Sequence, residues 1–219
     1  MIRTGLTATL FLFLLAAAVS AAGFGLIPEG VEIPRHWNLR GEVNGTTERD
    51  VYLLTMPAFV LGIGALLAVL PLIDPRGNNI RASAGFYLTA WIGSLMLITG
   101  VHATIVYAAL SGNAPDPRFI FAGTGLFLMA LGDRMAKSRS NWFAGLRTPW
   151  TLSSEHAWGV GNRWAGRLMV LSGIGTIAAA FTMGATASAG VMTAGIVTAL
   201  LVGTIASWFA WRGDPERAA

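Results

Sequence analysis

Residues 51–73 read VYLLTMPAFVLGIGALLAVLPLI, a run without a single charged side chain. The hydrocarbon core of a bilayer is roughly 30 Å thick and takes about 20 mostly apolar residues to cross as a helix. Working outward from Val51–Ile73, five further runs qualify as candidates: Leu6–Ile27, Ala84–Leu110, Phe119–Gly132, Ala165–Gly184 and Ala189–Trp211. Apolar residues make up 54% of the 219-residue chain and charged residues only 12%, about half the share found in soluble domains. Such a composition covers itself with lipid, not with water. The fold expected is an all-α membrane protein, a bundle of six transmembrane helices with a short outside loop and a Trp-rich polar inside segment.

The charges orient the bundle. With Arg3 inside, the inside segments hold Arg3, Arg76, Arg81, Arg134, Lys137, Arg139, Arg147, Arg163, Arg167, Arg212 and Arg217, eleven in all, against four outside, Arg35, Arg40, Arg49 and Arg118. Positive charge accumulates on the cytoplasmic side, so both termini are expected in the cytoplasm and the protein in the inner membrane. The net charge of +4 and pI near 10.3 therefore reflect topology and not direct nucleic-acid binding. An alternative for the first segment is a secretory signal, since Val19-Ser20-Ala21-Ala22 offers a small-residue cleavage site. The run to Ile27 is long for that role. Cleavage after residue 22 would leave five helices.

Three regions follow: 1–50, the first helix and an outside loop; 51–118, helices two and three; and 119–219, helices four to six with an inside motif at 133–164. In the outside loop Pro28 and Pro34 favour extended chain, and Asn44-Gly45 is a good type I′ turn pair that would join Glu42-Val43 to Thr46-Thr47 as a small hairpin. Asn44-Gly45-Thr46 also matches a glycosylation acceptor, a short and weak pattern.

The inside motif concentrates the polar chemistry. Four of the eight tryptophans, Trp142, Trp150, Trp158 and Trp164, lie there, and tryptophan favours the membrane–water interface. The preceding run, Phe119–Gly132, has 14 residues, a helix of about 21 Å. Either that helix extends at an end, or Asp133 lies at membrane depth, where charge is costly and marks candidate functional groups. The second case would gather Asp133, Asn141, Arg147, Glu155, Asn162 and Arg163 into a cytoplasm-facing pocket. Arg147 would then be braced by Glu155, or else by Asp133, across the turn at Thr148-Pro149. On a purely structural reading Ser153 N-caps a helix starting at Ser154, and Arg163 and Arg167 snorkel to headgroups. His102, within the third helix, suits an interhelical hydrogen bond to Ser, Thr or Tyr. A proton relay is the alternative.

Other chemistries are missing. Without cysteine there is no disulfide or thiolate site. The three histidines, His36, His102 and His156, show no metal-ligand spacing, and there is no nucleophile elbow, phosphate loop or dinucleotide fingerprint. No catalytic residue, metal or cofactor is expected. The glycine pairs Gly62/Gly64 and Gly173/Gly175 read as close helix packing.

Gly145-Leu146-Arg147-Thr148-Pro149-Trp150-Thr151-Leu152-Ser153-Ser154-Glu155 resembles the signature of the SdpI family of bacterial immunity membrane proteins, roughly Gly-Ile-Arg-Thr-Pro-Trp-Thr-Leu followed by Ser-Glu. Ile33-Pro34-Arg35-His36-Trp37-Asn38-Leu39-Arg40-Gly41-Glu42-Val43 resembles the small block that often precedes it. The resemblance implies protection from a secreted killing peptide and an ArsR-type repressor held at the membrane in signalling. It marks Asp133, Lys137, Asn141, Arg147, Thr148, Pro149, Trp150, Thr151, Ser154, Glu155, Trp158, Asn162 and Arg163 inside, and Pro34, His36, Trp37, Asn38 and Gly41 outside. The chain departs from the signature at Gly132-Asp133 for Gly-Asn, Ala136-Lys137 for Pro-Lys, Gly161-Asn162-Arg163 for Thr-His-Arg, and Asn44 for an Asp. Chemistry needing a titratable histidine beside Arg163 is thereby lost. The rival class is a small membrane enzyme or transporter using a pocket around Arg147 and Glu155.

Reporter fusions after residues 45 and 150 are expected to report outside and inside respectively. The same compartment for both would overturn the topology.

Overall fold

The computed structural model describes residues 1–38 and 42–216; Leu39, Arg40 and Gly41, and Arg217 with the last two alanines, lie outside the described residues. Helix α1 (Ile2–Leu26) is followed by strands β1 (Glu32–Trp37) and β2 (Val43–Glu48), then by α2 (Arg49–Ile73), the short α3 (Gly77–Ala82), and α4 (Ala84–Ser111). After a turn come α5 (Pro117–Met135), the one-turn α6 (Pro149–Ser153), α7 (Glu155–Thr182) and α8 (Ala185–Arg212). Five helices, α1, α2, α4, α7 and α8, are long and apolar enough to cross a membrane. The chain is an all-α membrane bundle carrying one small hairpin.

The expectation of six spans is met for five. Helix α5 runs 19 residues, about 28 Å, five residues more than its apolar run. Asp116 caps its start by accepting from Arg118 N at 3.0 Å, Pro117 takes the first helical position, and the last turn continues through Asp133 and Arg134 to Met135. Arg118, hydrogen-bonded to Asp116 at 2.7 Å, holds that carboxyl below its usual range. The helix therefore extends at both ends, and Asp133 is exposed, not gathered into a buried pocket.

Lipid gives helices no hydrophobic reason to associate, so close approach of small residues decides the packing. On α1 the buried face is Gly5, Thr9, Leu12, Ala16, Ser20 and Gly23, one residue every three or four. Gly5 lies under the Trp91 ring, and Gly64 of α2 lies under Thr9. Trp91 Nε1 donates to Thr9 Oγ1 at 3.0 Å, which completes a core with Leu12, Ala16, Val60 and Leu95. Helices α5 and α7 touch backbone to backbone at two levels, Gly125 with Gly173 and Gly132 with Gly166. Gly161 of α7 meets Gly203 and Ser207 of α8. Of the two glycine pairs read from sequence, Gly64 and Gly173 make the tight contacts, while Gly62 faces open space.

The hairpin is longer than expected and does not turn at Asn44-Gly45. Glu32 pairs with Glu48, Ile33 with Thr47 and Trp37 with Val43, so Asn44-Gly45 lies within a strand, and Gly45 has an ordinary negative-φ backbone. Asn38 N donates to Glu42 O at 2.9 Å to close the hairpin. A turn at Asn44-Gly45 would have paired mostly polar residues. The observed register instead places Ile33, fully buried, and Trp37 against Ile27, Tyr52, Leu53, Ile105 and Val106 at the helix ends. Arg49 ties the start of α2 to the end of α1, donating to Ile27 O, pairing with Asp50 at 2.6 Å and lying over the Phe24 ring.

A Cβ at Gly166 would stand 2.4 Å from the Gly132 carbonyl oxygen. Gly166→Val is expected to destabilise the purified protein by about 1–3 kcal/mol, the usual range for overpacking. Gly62→Ala is expected to be neutral or slightly stabilising, since a mid-helix glycine costs about 1 kcal/mol relative to alanine. Thermal denaturation in detergent compares the two.

Candidate functional site

Between α5 and α6 the chain runs without regular structure from Ala136 to Thr148. It holds its shape through two buried asparagines. Asn141 accepts from Phe143 N (3.0 Å) and Ala144 N (2.7 Å) and donates to Arg139 O (2.9 Å) and Ala144 O (3.0 Å). Asn162, on α7, accepts from Leu146 N at 2.8 Å and donates to Trp158 O at 3.0 Å. Gly145 has φ +118°, a conformation open mainly to glycine, and a Cβ there would lie 2.8 Å from Asn162 Oδ1 and from the Trp158 ring. Trp158 is fully buried, its Nε1 donating to Ser138 O at 2.9 Å.

The next residues build α6. Thr148 Oγ1 accepts from Thr151 N (3.2 Å), Thr151 Oγ1 accepts from Thr148 N (2.8 Å), and Pro149 stands in the first turn. Trp150 Nε1 donates to Ser207 Oγ on α8 at 2.9 Å. The N-cap of α7 is Ser154, one residue later than expected: its hydroxyl accepts from Ala157 N at 2.9 Å and donates to Asp214. Ser153 instead accepts from Trp211 Nε1 at 3.1 Å.

The single pocket expected from sequence is not assembled. Leu146 turns inward, and Arg147, next in the chain, points outward, its guanidinium donating to Trp142 O. No carboxylate pairs with Arg147 among the described residues, so the brace to Glu155 or Asp133 is corrected. The left-handed turn at Gly145 and the cap at Thr148 set that direction. Asp133 is exposed and pairs with Arg134 (3.4 Å) and Lys137 (3.9 Å). Arg163 stands beside it in a groove between α5 and α7. Asn141 and Asn162 are structural. Of the four tryptophans, Trp142 and Trp164 are about half exposed, as an interfacial role requires, whereas Trp158 belongs to the core.

Glu155 finds a different set of partners, which the sequence reading missed. Ser140 Oγ donates to Glu155 Oε1 at 2.6 Å and accepts from the Arg76 guanidinium at 2.6 Å, while Arg76 also donates to Leu152 O at 2.8 Å. Asn79 Nδ2 donates to Ser140 O (2.8 Å), and Asp74 accepts from Trp142 N (2.9 Å) and Arg76 N (2.6 Å). The α2–α4 connection therefore clamps the motif from the side, leaving an open cleft of about 430 Å³ beside Arg76 and Glu155. The available signal was two charges and two asparagines in the short stretch Asp74–Asn79, of which only Arg76 entered the reading, as a topology charge.

At the other end of the bundle, Pro34, His36 and Trp37 lie on β1, with Asn38 just beyond it. His36 Nδ1 sits 2.6 Å from Asn44 Oδ1, and Asn38 Nδ2 donates to Glu42 at 2.8 Å. Gly41 lies outside the described residues. His102, on α4, is fully buried against α1 and α2, with Nε2 3.0 Å from Ser20 Oγ, whose hydroxyl donates to Leu53 O.

Arg147→Ala is expected to change stability by no more than about 0.5 kcal/mol, as for an exposed side chain. Asn162→Ala strands the buried Leu146 N–H and is expected to cost about 1–3 kcal/mol. Denaturation midpoints of the two variants check the ranking.

The family described as the SdpI/YfhL protein family matches residues 137–209. The chain is 25% identical over 182 residues to "Immunity protein SdpI" of Bacillus subtilis (strain 168), covering 83% of this chain and 84% of that protein. No solved structure matches. The chain is thus a helical membrane protein that resembles the SdpI/YfhL family over residues 137–209 and an SdpI immunity protein along most of its length.

Proposed function

We propose that this chain is an immunity-type protein of the cytoplasmic membrane, with both termini and the α5–α6 motif in the cytoplasm and the hairpin outside. In this reading the hairpin end meets a secreted killing peptide, and the motif end docks an ArsR-type repressor and keeps it from its operator. The observation that carries the docking role is the division of the motif into a fixed interior and a presented exterior. Asn141, Thr151, Trp158 and Asn162 are buried and hydrogen-bonded. Trp142, Phe143 and Arg147 stand exposed on the loop they hold. An aromatic pair beside an arginine on a rigid loop has the composition of an interface hot spot. The enzyme or transporter reading needs free polar groups in a cavity. The cleft beside Glu155 is open, and Arg76, Ser140 and Glu155 are hydrogen-bonded to one another.

Expression of the chain in a bacterium sensitive to such a peptide and lacking its own immunity gene is expected to restore growth. Replacing Trp142, Phe143 and Arg147 together by alanine is expected to leave protection intact and shift a tagged ArsR-type repressor from the membrane to the soluble fraction. If the unaltered chain gives no protection, immunity is the wrong reading. If repressor recruitment survives the triple replacement, the motif is not its docking surface.

A further inference from the structure

We infer that the groove between α5 and α7 at the motif end binds the phosphate of an anionic phospholipid, with Arg163 and Arg167 as its ligands. The groove has a volume of about 550 Å³, and Gly132, Asp133, Ala136, Arg163, Arg167 and Val170 line it. Its floor exists because Gly132 and Gly166 bring the two backbones into contact, so that no large side chain fills the seam.

Depth is the first argument. Counting back from Thr182, the end of α7, about 20 residues fill the hydrocarbon core and reach Arg163. Arg163 therefore sits at the apolar boundary and Arg167 one turn within it, whereas Val170 and the exposed Leu171 lie deeper, where acyl chains run. Charge is the second argument. The groove holds two guanidiniums and one carboxylate, and that carboxylate is drawn to Arg134 and Lys137 on its own helix, at 3.4 and 3.9 Å. Among the described residues no acid pairs with Arg163 or Arg167. Arg167 lies over the Trp164 ring at 5.8 Å, which stiffens it at the interface without neutralising it. Charged groups at this depth need a counter-charge. A guanidinium fork suits the paired oxygens of a phosphate diester, and basic pockets between membrane helices are suited to anionic headgroups. The apolar wall at Val170 and Leu171 selects a lipid over a free anion.

The test reconstitutes the full chain in phosphatidylcholine with and without phosphatidylglycerol. It reads the lipid retained after detergent extraction by native mass spectrometry, together with the melting temperature. The unaltered chain is expected to retain phosphatidylglycerol over phosphatidylcholine and to melt higher in its presence. Arg163→Gln with Arg167→Gln is expected to lower that retention about tenfold, with melting in pure phosphatidylcholine unchanged. Asp133→Asn is expected to hold phosphatidylglycerol at least as well as the unaltered chain, and this variant decides the matter if the double replacement fails to fold. Equal retention of the two lipids overturns the assignment. So does inorganic phosphate alone reproducing the stabilisation, or Asp133→Asn retaining less phosphatidylglycerol than the unaltered chain.

Discussion

A loop that leaves a helix at the edge of the apolar layer must satisfy its own backbone, because neither lipid nor a regular ladder of bonds does it. In the stretch from Ala136 to Thr148 two amide side chains meet that demand, Asn141 from within the loop and Asn162 from the helix behind it. The rest of the motif follows from this. Holding Leu146 N against Asn162 brings the chain so close to α7 that residue 145 has no room for a side chain. Leu146 is turned in and Arg147 out, and the chain emerges at Thr148 extended and ready to cap α6. The tryptophans then lock the product in place, Trp158 beneath the loop and Trp150 against α8.

The clamp from Asp74, Arg76 and Asn79 gives this end of the bundle its second constraint. It links the α2–α4 connection to the motif at Trp142 N, Leu152 O and Ser140, whose buried hydroxyl receives from Arg76 and donates to Glu155. Helices α1, α2 and α4 share one apolar core, while α5, α7 and α8 meet through glycines. A displacement of the motif by a bound partner would therefore be felt at the end of α2. Helix α2 begins, at its other end, with Arg49 and the hairpin. One helix thus runs from the hairpin to the motif end, its C-cap Asp74 accepting from Trp142 N.

Much of this was legible in the sequence, for identifiable reasons. Length and apolarity named the long helices, and Thr148-Pro149 marked a reversal of the chain. What misled was local reasoning about charge. Fourteen apolar residues suggested a helix too short for the bilayer, but a helix does not stop where hydrophobicity stops: a Pro cap at one end and Asp133-Arg134 at the other extend α5. Asn44-Gly45 is a strong local turn signal, yet burying Ile33 and Trp37 sets a register that overrides it. Arg147 was assigned a carboxylate because an arginine near lipid needs a partner. It is exposed and takes a backbone carbonyl, so the premise of burial failed. The partners of Glu155 were hidden because Arg76 lies 79 residues away along the chain, and no periodicity connects them.

The departure from the SdpI signature at Gly161-Asn162 looked like a loss of chemistry and is better understood as a repacking. The structural task at residue 162 is to accept from Leu146 N and donate to Trp158 O. A neutral histidine has one acceptor and one donor nitrogen, the same complement of roles that the asparagine amide provides here. Asparagine keeps both bonds at every pH, whereas a histidine that gained a proton would lose its acceptor and release Leu146. The neighbouring change is coupled to it. A Cβ at residue 161 would stand 2.7 Å from the Ser207 side chain and 3.1 Å from the Gly203 carbonyl, so a threonine could not occupy this position at the present spacing of α7 and α8. With glycine the two helices close, and Ser207 comes within reach of Trp150. In this chain the pair therefore favours a tighter, titration-independent anchor for the loop over a protonatable one. The loop therefore holds Trp142, Phe143 and Arg147 in their exposed positions without a titrating group at its core.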